Sequence, residues 1–538
     1  MSILLFKSAI TVIITSFLFS TLSCVTTKKL LPKPEKISST TYPSKYSHVS
    51  TEIKPKNSQA LNIPEKGPIK ITPAKAILIA LENNRSLSVE KMNPFIQKTF
   101  EQQLRAEFDP TIEAEISGLR SKAEMLKQPE GYNGHSTSNI YEGIISLKKF
   151  FPTGTFLEAD AIVETTDSDV YNRTFSSARL GLSATQSLLR GFGSEVNLAQ
   201  LRQSQIDTDI SQYELRGFSE TLVAQVETAY WDYALSRRQI EIVLESVKVA
   251  KQQIAETQEM IKVGTMAEAE LAALQAELAS QQQELINARS LQESARLKLL
   301  RLLNPLGDSL WSRDVILVHP PFLPNIELDE VQSHVSLATS IRPEINQAKL
   351  EIKQKDLEIV RTKNGLLPRM DLFISLGKTG YSDSFVNSAN DISEENYDVM
   401  IGVNLEYPLF NRDARAQHQR SLLRRDQAEM ALNNLTQLIE LDVRNAYIEV
   451  NRTREQISAS TATRRFEEEK LRVETEKFRV GHSTNFFVAQ AQRDLLLSKI
   501  NEVQSVVDFL KALIQFYRLE GSLLERRGIK APGLEKFE

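Results

Sequence analysis

Val226-Glu227-Thr228-Ala229-Tyr230 recurs 217 residues later as Val443-Arg444-Asn445-Ala446-Tyr447. The same spacing then holds without a gap, carrying Val263-Gly264 onto Val480-Gly481, Gln275 onto Gln492 and Arg301-Leu302 onto Arg518-Leu519. A register kept over about 75 residues marks an internal duplication, and a duplicated unit decides architecture before local detail does. Upstream the offset changes. Pro110 aligns with Pro368 at 258 and Gly181 with Gly402 at 221, so the first repeat carries a 37-residue insertion.

Each repeat reads as helix, strands, very long helix, tight turn, helix. No proline interrupts the chain between Pro152 and Pro305 or between Pro408 and Pro532, which leaves room for unbroken helices. Residues 195–262 would span roughly 100 Å at the α-helical rise, far more than a globular domain needs. Val223, Val226, Tyr230 and Tyr233, then Ile240, Val243, Leu244, Val247 and Ile254, recur at three- and four-residue steps and leave the other faces polar. A helix that packs along thin seams while touching water on two sides suits the wall of a water-filled tube or a plain coiled coil.

The long helices end in tight tips. Gly264 stands where a helix stops on a left-handed residue, and Thr265 with Glu268 has the form of a capping box for the return helix, 268–303. Gly481 repeats the stop, with Ser483 or Thr484 as cap of the second return helix, 485–520. Helices near 72–107, opened by Thr72-Pro73 and kinked or split at Pro94, and near 330–364 have the length to stack on the return helices and complete the wall.

Between the helices the period changes to two. Ile112, Ala114 and Ile116 alternate with Thr111, Glu113 and Glu115; Val399, Ile401, Val403, Leu405 and Tyr407 stand opposite Asp398, Asn404 and Glu406. Residues 180–188 and 369–376 alternate likewise, and the insertion holds an extra hairpin, 140–150 and 155–164, around Phe151-Pro152-Thr153-Gly154. One apolar and one charged face suit a barrel with lipid outside and water inside, although half-buried strands of a soluble sheet give the same pattern. Two strands per repeat make four per chain, too few to enclose water, so the chain must oligomerise. A cyclic trimer supplies 12 strands, or 18 if the extra hairpin joins the wall. The expectation is 12, with the hairpin extending outward as a loop; lipid-facing Leu157, Ala159 and Val163 would overturn it.

The N-terminal segment Ile3–Leu22 is apolar and reads as an export signal. Leu22-Ser23-Cys24 resembles a lipoprotein signal, in which the cysteine is acylated, but Thr21 and Leu22 depart from its usual pattern; ordinary cleavage and an uncleaved membrane helix fit the same residues. The expected organisation is a signal peptide at 1–24, a Ser/Thr/Pro/Lys-rich tether at 25–69, a first repeat at 70–310, a Pro-rich connector at 311–329, a second repeat at 330–525 and a tail at 526–538.

These residues resemble the TolC-like outer-membrane efflux proteins over roughly 70–525. The carriers are the duplicated unit, the strand-to-helix passage Gln186-Ser187-Leu188-Leu189-Arg190-Gly191-Phe192-Gly193 with its counterpart Tyr407-Pro408-Leu409-Phe410, and the stretch Phe478-Arg479-Val480-Gly481 followed by Val488-Ala489-Gln490-Ala491-Gln492. The resemblance implies a mainly α fold with a membrane β region: long coiled helical hairpins forming an α-barrel, and strands contributed to a shared trimeric transmembrane β-barrel. It further implies a passive conduit of a tripartite efflux or type I secretion system in the outer membrane. Its partners are then a periplasmic adaptor and an inner-membrane pump. By position, Val263, Gly264, Thr265, Val480, Gly481 and His482 become candidate adaptor contacts; the alternative reading of the glycines is that they merely permit the turn. Glu268, Glu270, Glu277 and Asp494 are the nearest carboxylates for the acidic periplasmic gate that the family carries, although Glu268 has a capping role of its own.

Other functions find little support. The formal net charge is −4 with both signs interspersed, which gives no basic face for nucleic acid. A single cysteine excludes an intramolecular disulfide, and the six histidines, at 48, 135, 319, 334, 418 and 482, lack metal-ligand spacing. Gly377-Lys378-Thr379-Gly380 has Leu372 where a phosphate loop needs its first glycine, and Gly191-Phe192-Gly193 lacks the third glycine of a dinucleotide fingerprint. No enzyme and no cofactor are expected. The rival reading is a lipid-anchored periplasmic adaptor or other coiled-coil scaffold, which normally has one hairpin and no barrel strands.

Overall fold

The computed structural model describes residues 67–124, 135–168, 173–305, 310–318, 320–321, 323–324, 326–392 and 396–530; Cys24, the signal and most of the tether lie outside them. In chain order the elements are β1 (Ile69–Ile71), α1 (Pro73–Asn83), α2 (Arg85–Glu90), α3 (Asn93–Arg105), β2 (Thr111–Glu124), β3 (His135–Phe150), β4 (Thr155–Ser168), β5 (Arg173–Ser187), α4 (Ser194–Asn197) and α5 (Ala199–Lys262). There follow α6 (Ala269–Leu303), β6 (Val315–Leu317), α7 (Val331–Ile341), α8 (Pro343–Asn364), β7 (Arg369–Ser382), α9 (Phe385–Asp391), β8 (Tyr397–Glu406), α10 (Arg412–Arg479), α11 (Asn485–Glu520) and α12 (Leu523–Arg526). Among the described residues no helix is long and apolar enough to cross a membrane.

The repeated motif forms the core. Val226, Ala229, Tyr230 and Val443 are fully buried, and Ala446 nearly so, where the middles of α5 and α10 meet α1, α7 and the inner ends of α6 and α11. Phe516 packs edge-on to His334 and Tyr447, closing the same cluster. Each large apolar side chain among them, such as Val226 or Phe516, contributes about 1.5–3 kcal/mol by leaving water. Toward the tips burial thins to a small satellite of Ile242, Val243, Val247 and Leu496. Burial is therefore concentrated at the junction of the repeats, and the outer hairpins rely on narrow seams and polar ties.

Four expectations need correction. The helix read at 330–364 is two: Pro343 cannot donate its missing N–H and forces Arg342 into an extended conformation, so α7 ends at Ile341. The helix read at 72–107 also breaks at Asn84, whose side chain caps α2 by accepting from the Leu87 N–H; at Pro94, in the first turn of α3, it is split, one of the two outcomes expected there. Ile69, the last residue of the expected tether, instead forms a strand with the first two residues of the expected first repeat, Lys70 and Ile71, paired in parallel with Val315–Leu317 of the connector. The extra hairpin is not a loop projecting from a four-stranded wall.

Its two strands stand inside one six-stranded antiparallel sheet of order β2-β3-β4-β5-β7-β8. The registers put Ile112, Ala114 and Ile116 on the same face as Ile145 and Leu147, then Leu157, Ala159, Ala161 and Val163, then Leu180 and Leu182, then Leu372, Ile374 and Leu376, and finally Val399, Ile401 and Val403. Leu157, Ala159 and Val163 thus belong to one continuous apolar face. The opposite face carries Glu113, Lys148, Glu158, Asp160, Arg179, Asp371 and Asp398, with Ile144 and Ile162 paired among them. On it Lys148 bridges Glu113 and Glu158, and Arg179 reaches across β7 to Asp398 at 2.8 Å. That reach needs Gly377, where a Cβ would lie 2.6 Å from the Arg179 guanidinium.

The β3–β4 turn is docked at the helical end of the sheet. The Asn197 amide donates to the Pro152 and Gly191 carbonyls at 2.9 and 2.8 Å, and the Ser187 N–H donates to the Gly154 carbonyl at 3.0 Å. Gly154 has φ +87° and lies so close to Gly191 that a Cβ would meet its carbonyl oxygen at 2.3 Å. Asn364 accepts from the Gly191 N–H at 2.8 Å, fastening the second repeat to the same passage from strand to helix.

Candidate functional site

Both tips close in the same way. The Gly264 N–H donates to the Ile261 carbonyl and the Thr265 N–H to that of Met260; at the other tip Gly481 donates to Phe478 and His482 to Lys477. This pattern needs a left-handed residue after the last helical turn, and both glycines have φ +78°. A Cβ built on either would meet nothing within 4 Å, so the glycines are required by backbone conformation and not by crowding. Val263 and Val480 are 77% and 68% exposed.

The expected capping box is absent. The Thr265 hydroxyl donates back to the Met260 carbonyl at 2.9 Å, and Glu268 is itself helical in backbone with no capping bond from its side chain. At the second tip Thr484 occupies the cap position without a side-chain bond, and the Glu270 carboxylate, from the other hairpin, accepts the Asn485 N–H at 3.2 Å. Ser483 donates instead to Glu474. Hydrogen bonds from Lys477 and then Ser483 hold the Glu474 carboxyl below its ordinary range.

The four candidate gate acids have different surroundings. Glu268 is exposed. Glu270 caps α11. Glu277 is buried, takes two bonds from Arg493 of α11 at 2.7 and 3.1 Å, and accepts from Gln281 at 3.2 Å. Asp494, the repeat equivalent of Glu277, pairs with Lys470 of its own hairpin at 2.6 Å, the leading cause of that lysine's raised pKa. Gln492 adds a bond to Gln253 at 2.5 Å. Glu270 and Glu277 therefore tie the two hairpins together near their tips, whereas Asp494 braces one hairpin internally. Phe486 and Phe487 are exposed at the start of α11 with their rings edge to face at 5.6 Å, apolar residues near the tips left in solvent as Val263 and Val480 are. Their cue was two consecutive aromatics just past the tip glycine.

A sequence profile described as outer membrane efflux protein matches residues 79–305 and 335–522. No curated protein sequence matches. Among solved structures, the outer-membrane channel OprN is 17% identical, with 84% of this chain and 90% of that one covered and a TM-score of 0.63. VceC of Vibrio cholerae, an outer membrane protein, is 15% identical over 84% of this chain and 96% of its own, at a TM-score of 0.61. The Campylobacter jejuni CmeC outer membrane channel is 15% identical, with 84% and 86% covered and a TM-score of 0.61. At these identities the likeness carries the fold.

Proposed function

The chain belongs to the outer membrane efflux protein family, and from that membership we propose that three copies form a passive duct whose tips dock onto a periplasmic adaptor bound to an inner-membrane pump. It is an outer-membrane channel of an efflux system, with its helical part in the periplasm. The observation that carries the fuller reading is the sheet with one continuous apolar face, joined through asparagine-bound passages to two long hairpins of thin burial. Lipid takes the apolar face, water the charged one. Purified oligomers reconstituted into planar bilayers should conduct ions; a protein that stays at the membrane surface and gives no conductance would instead be a scaffold.

Val263, Gly264, Thr265, Val480, Gly481 and His482, with Phe486 and Phe487, form the adaptor-docking surface in this reading. The ties from Arg493 to Glu277 and from the Asn485 N–H to Glu270 are the part of the candidate gate that holds the hairpins together. Glu277→Ala should raise the single-channel conductance several-fold, because it removes the buried carboxylate that Arg493 and Gln281 bind and loosens the two hairpins near their tips. Asp494→Ala, which loosens one hairpin only, should raise it less. Equal conductance and cation selectivity in wild type and Glu277→Ala would remove this residue from the gate.

A further inference from the structure

Among the described residues the sheet ends in two unpaired edges: β2 pairs there only with β3, and β8 only with β7. In hydrocarbon an open row of backbone N–H and C=O groups has no water to bond, so a spanning sheet must close. One copy of this sheet cannot close on itself around water, since eight strands enclose only enough space for side chains and the sheet has six among the described residues. Its edges are complementary. Six strands in up-and-down order leave β2 and β8 running in opposite directions, so β8 of one copy meets β2 of another antiparallel. Val399, Ile401, Val403 and Leu405 end the apolar face at one edge, and Ile112, Ala114 and Ile116 begin it at the other.

We propose that three copies join edge to edge, β8 of each pairing with β2 of the next, into an 18-stranded barrel in which β3 and β4 are wall strands. The copy number rests on the trimer proposed above; the edge pairing does not. The docked β3–β4 turn supports this placement, because Asn197 and Gly154 fix it at the helical end of the sheet in line with the strand-to-helix passages. At about 4.8 Å between strands and a tilt of about 40°, 18 strands give a backbone diameter of about 36 Å, against about 24 Å for 12. The inserted hairpin also brings Glu142, Glu158, Asp160 and Glu164 to the water side of the wall. A wider and more acidic lumen results.

The test uses the full-length protein in membranes. Cysteines placed one at a time at Val399, Ile401, Val403 and Leu405 are combined with one at Ile112, Ala114 or Ile116, and oxidised. At least one register should give disulfide-linked oligomers on non-reducing gels, while Val403→Cys with Glu113→Cys or Glu115→Cys, on opposite faces, should not. No cross-link from any apolar pair overturns the edge pairing. Electron microscopy of the oligomer should show a barrel about 36 Å across; a diameter near 24 Å, with the hairpin outside the wall, overturns the 18 strands. Native mass reads the copy number separately: two or four cross-linked copies would overturn the trimer and leave the edge pairing standing.

Discussion

With methionine in place of Arg216, the midpoint of thermal unfolding should fall steeply at pH 8 and recover in part at pH 5. Arg216 is 1% exposed and lies at the junction of the repeats. Its guanidinium reaches Glu220 at 3.4 Å, Glu525 at 2.8 Å and the Gly521 carbonyl at 3.3 Å, so it ties α5 to the turn between α11 and α12. Removing one partner of a buried ion pair costs about 3–5 kcal/mol, most of it from the charge left behind. Here that charge is Glu220.

Burial, offset in part by Arg216, raises the Glu220 carboxyl from 4.5 to about 7. The native state therefore holds this proton more tightly than the unfolded chain does between those two values. Its stabilising contribution is complete below pH 4.5 and is lost as pH rises through about 7, a swing on the order of 3 kcal/mol. Glu220→Gln should flatten that part of the pH profile. Arg216→Met with Glu220→Gln should recover most of the loss at pH 8. Circular dichroism melts of the four proteins at pH 5 and pH 8 provide the measurement; a deficit in Arg216→Met that does not change with pH would mean that lost packing, not the stranded carboxylate, is the cause.

Much of this junction was legible in the sequence because burial follows period. The repeated Val-x-x-Ala-Tyr places its apolar residues on one helical face, and those residues are the core. The return helices were read to within a residue, since a glycine with positive φ is a local requirement. What escaped was set by contacts distant in sequence. Glu270 was read as a gate residue, yet its partner is the Asn485 N–H in the other repeat; likewise nothing near Glu277 announces Arg493. Phe486 and Phe487 look like core residues by type, and only the fold reveals their exposure. The strand count failed for another reason: alternation in 140–150 and 155–164 was recognised, but Ile144 and Ile162 on the polar face weakened it, and pairing order cannot be read from period.

The second large effect concerns that hairpin. Ala161→Arg should strongly reduce the amount of folded oligomer in the outer membrane, whereas Glu164→Arg, three residues along the same strand, should be tolerated. Ala161 lies on the apolar face between Ile145 and Leu180, near the middle of the band from Leu157 to Val163. An arginine at mid-bilayer on the lipid face of a barrel costs about 2–4 kcal/mol, and Ala161 has no aqueous rim within easy reach of the new side chain. Glu164 faces the other way, toward the water side with Glu142 and Ser177, where a cation meets carboxylate and solvent. The comparison isolates facing from strand disruption, since both changes put the same side chain into β4. Heat-modifiable oligomer in membrane fractions gives the readout. If both variants assemble as well as wild type, β4 stands outside the bilayer, because only a lipid-facing wall strand makes the parity of the substituted position decide the outcome.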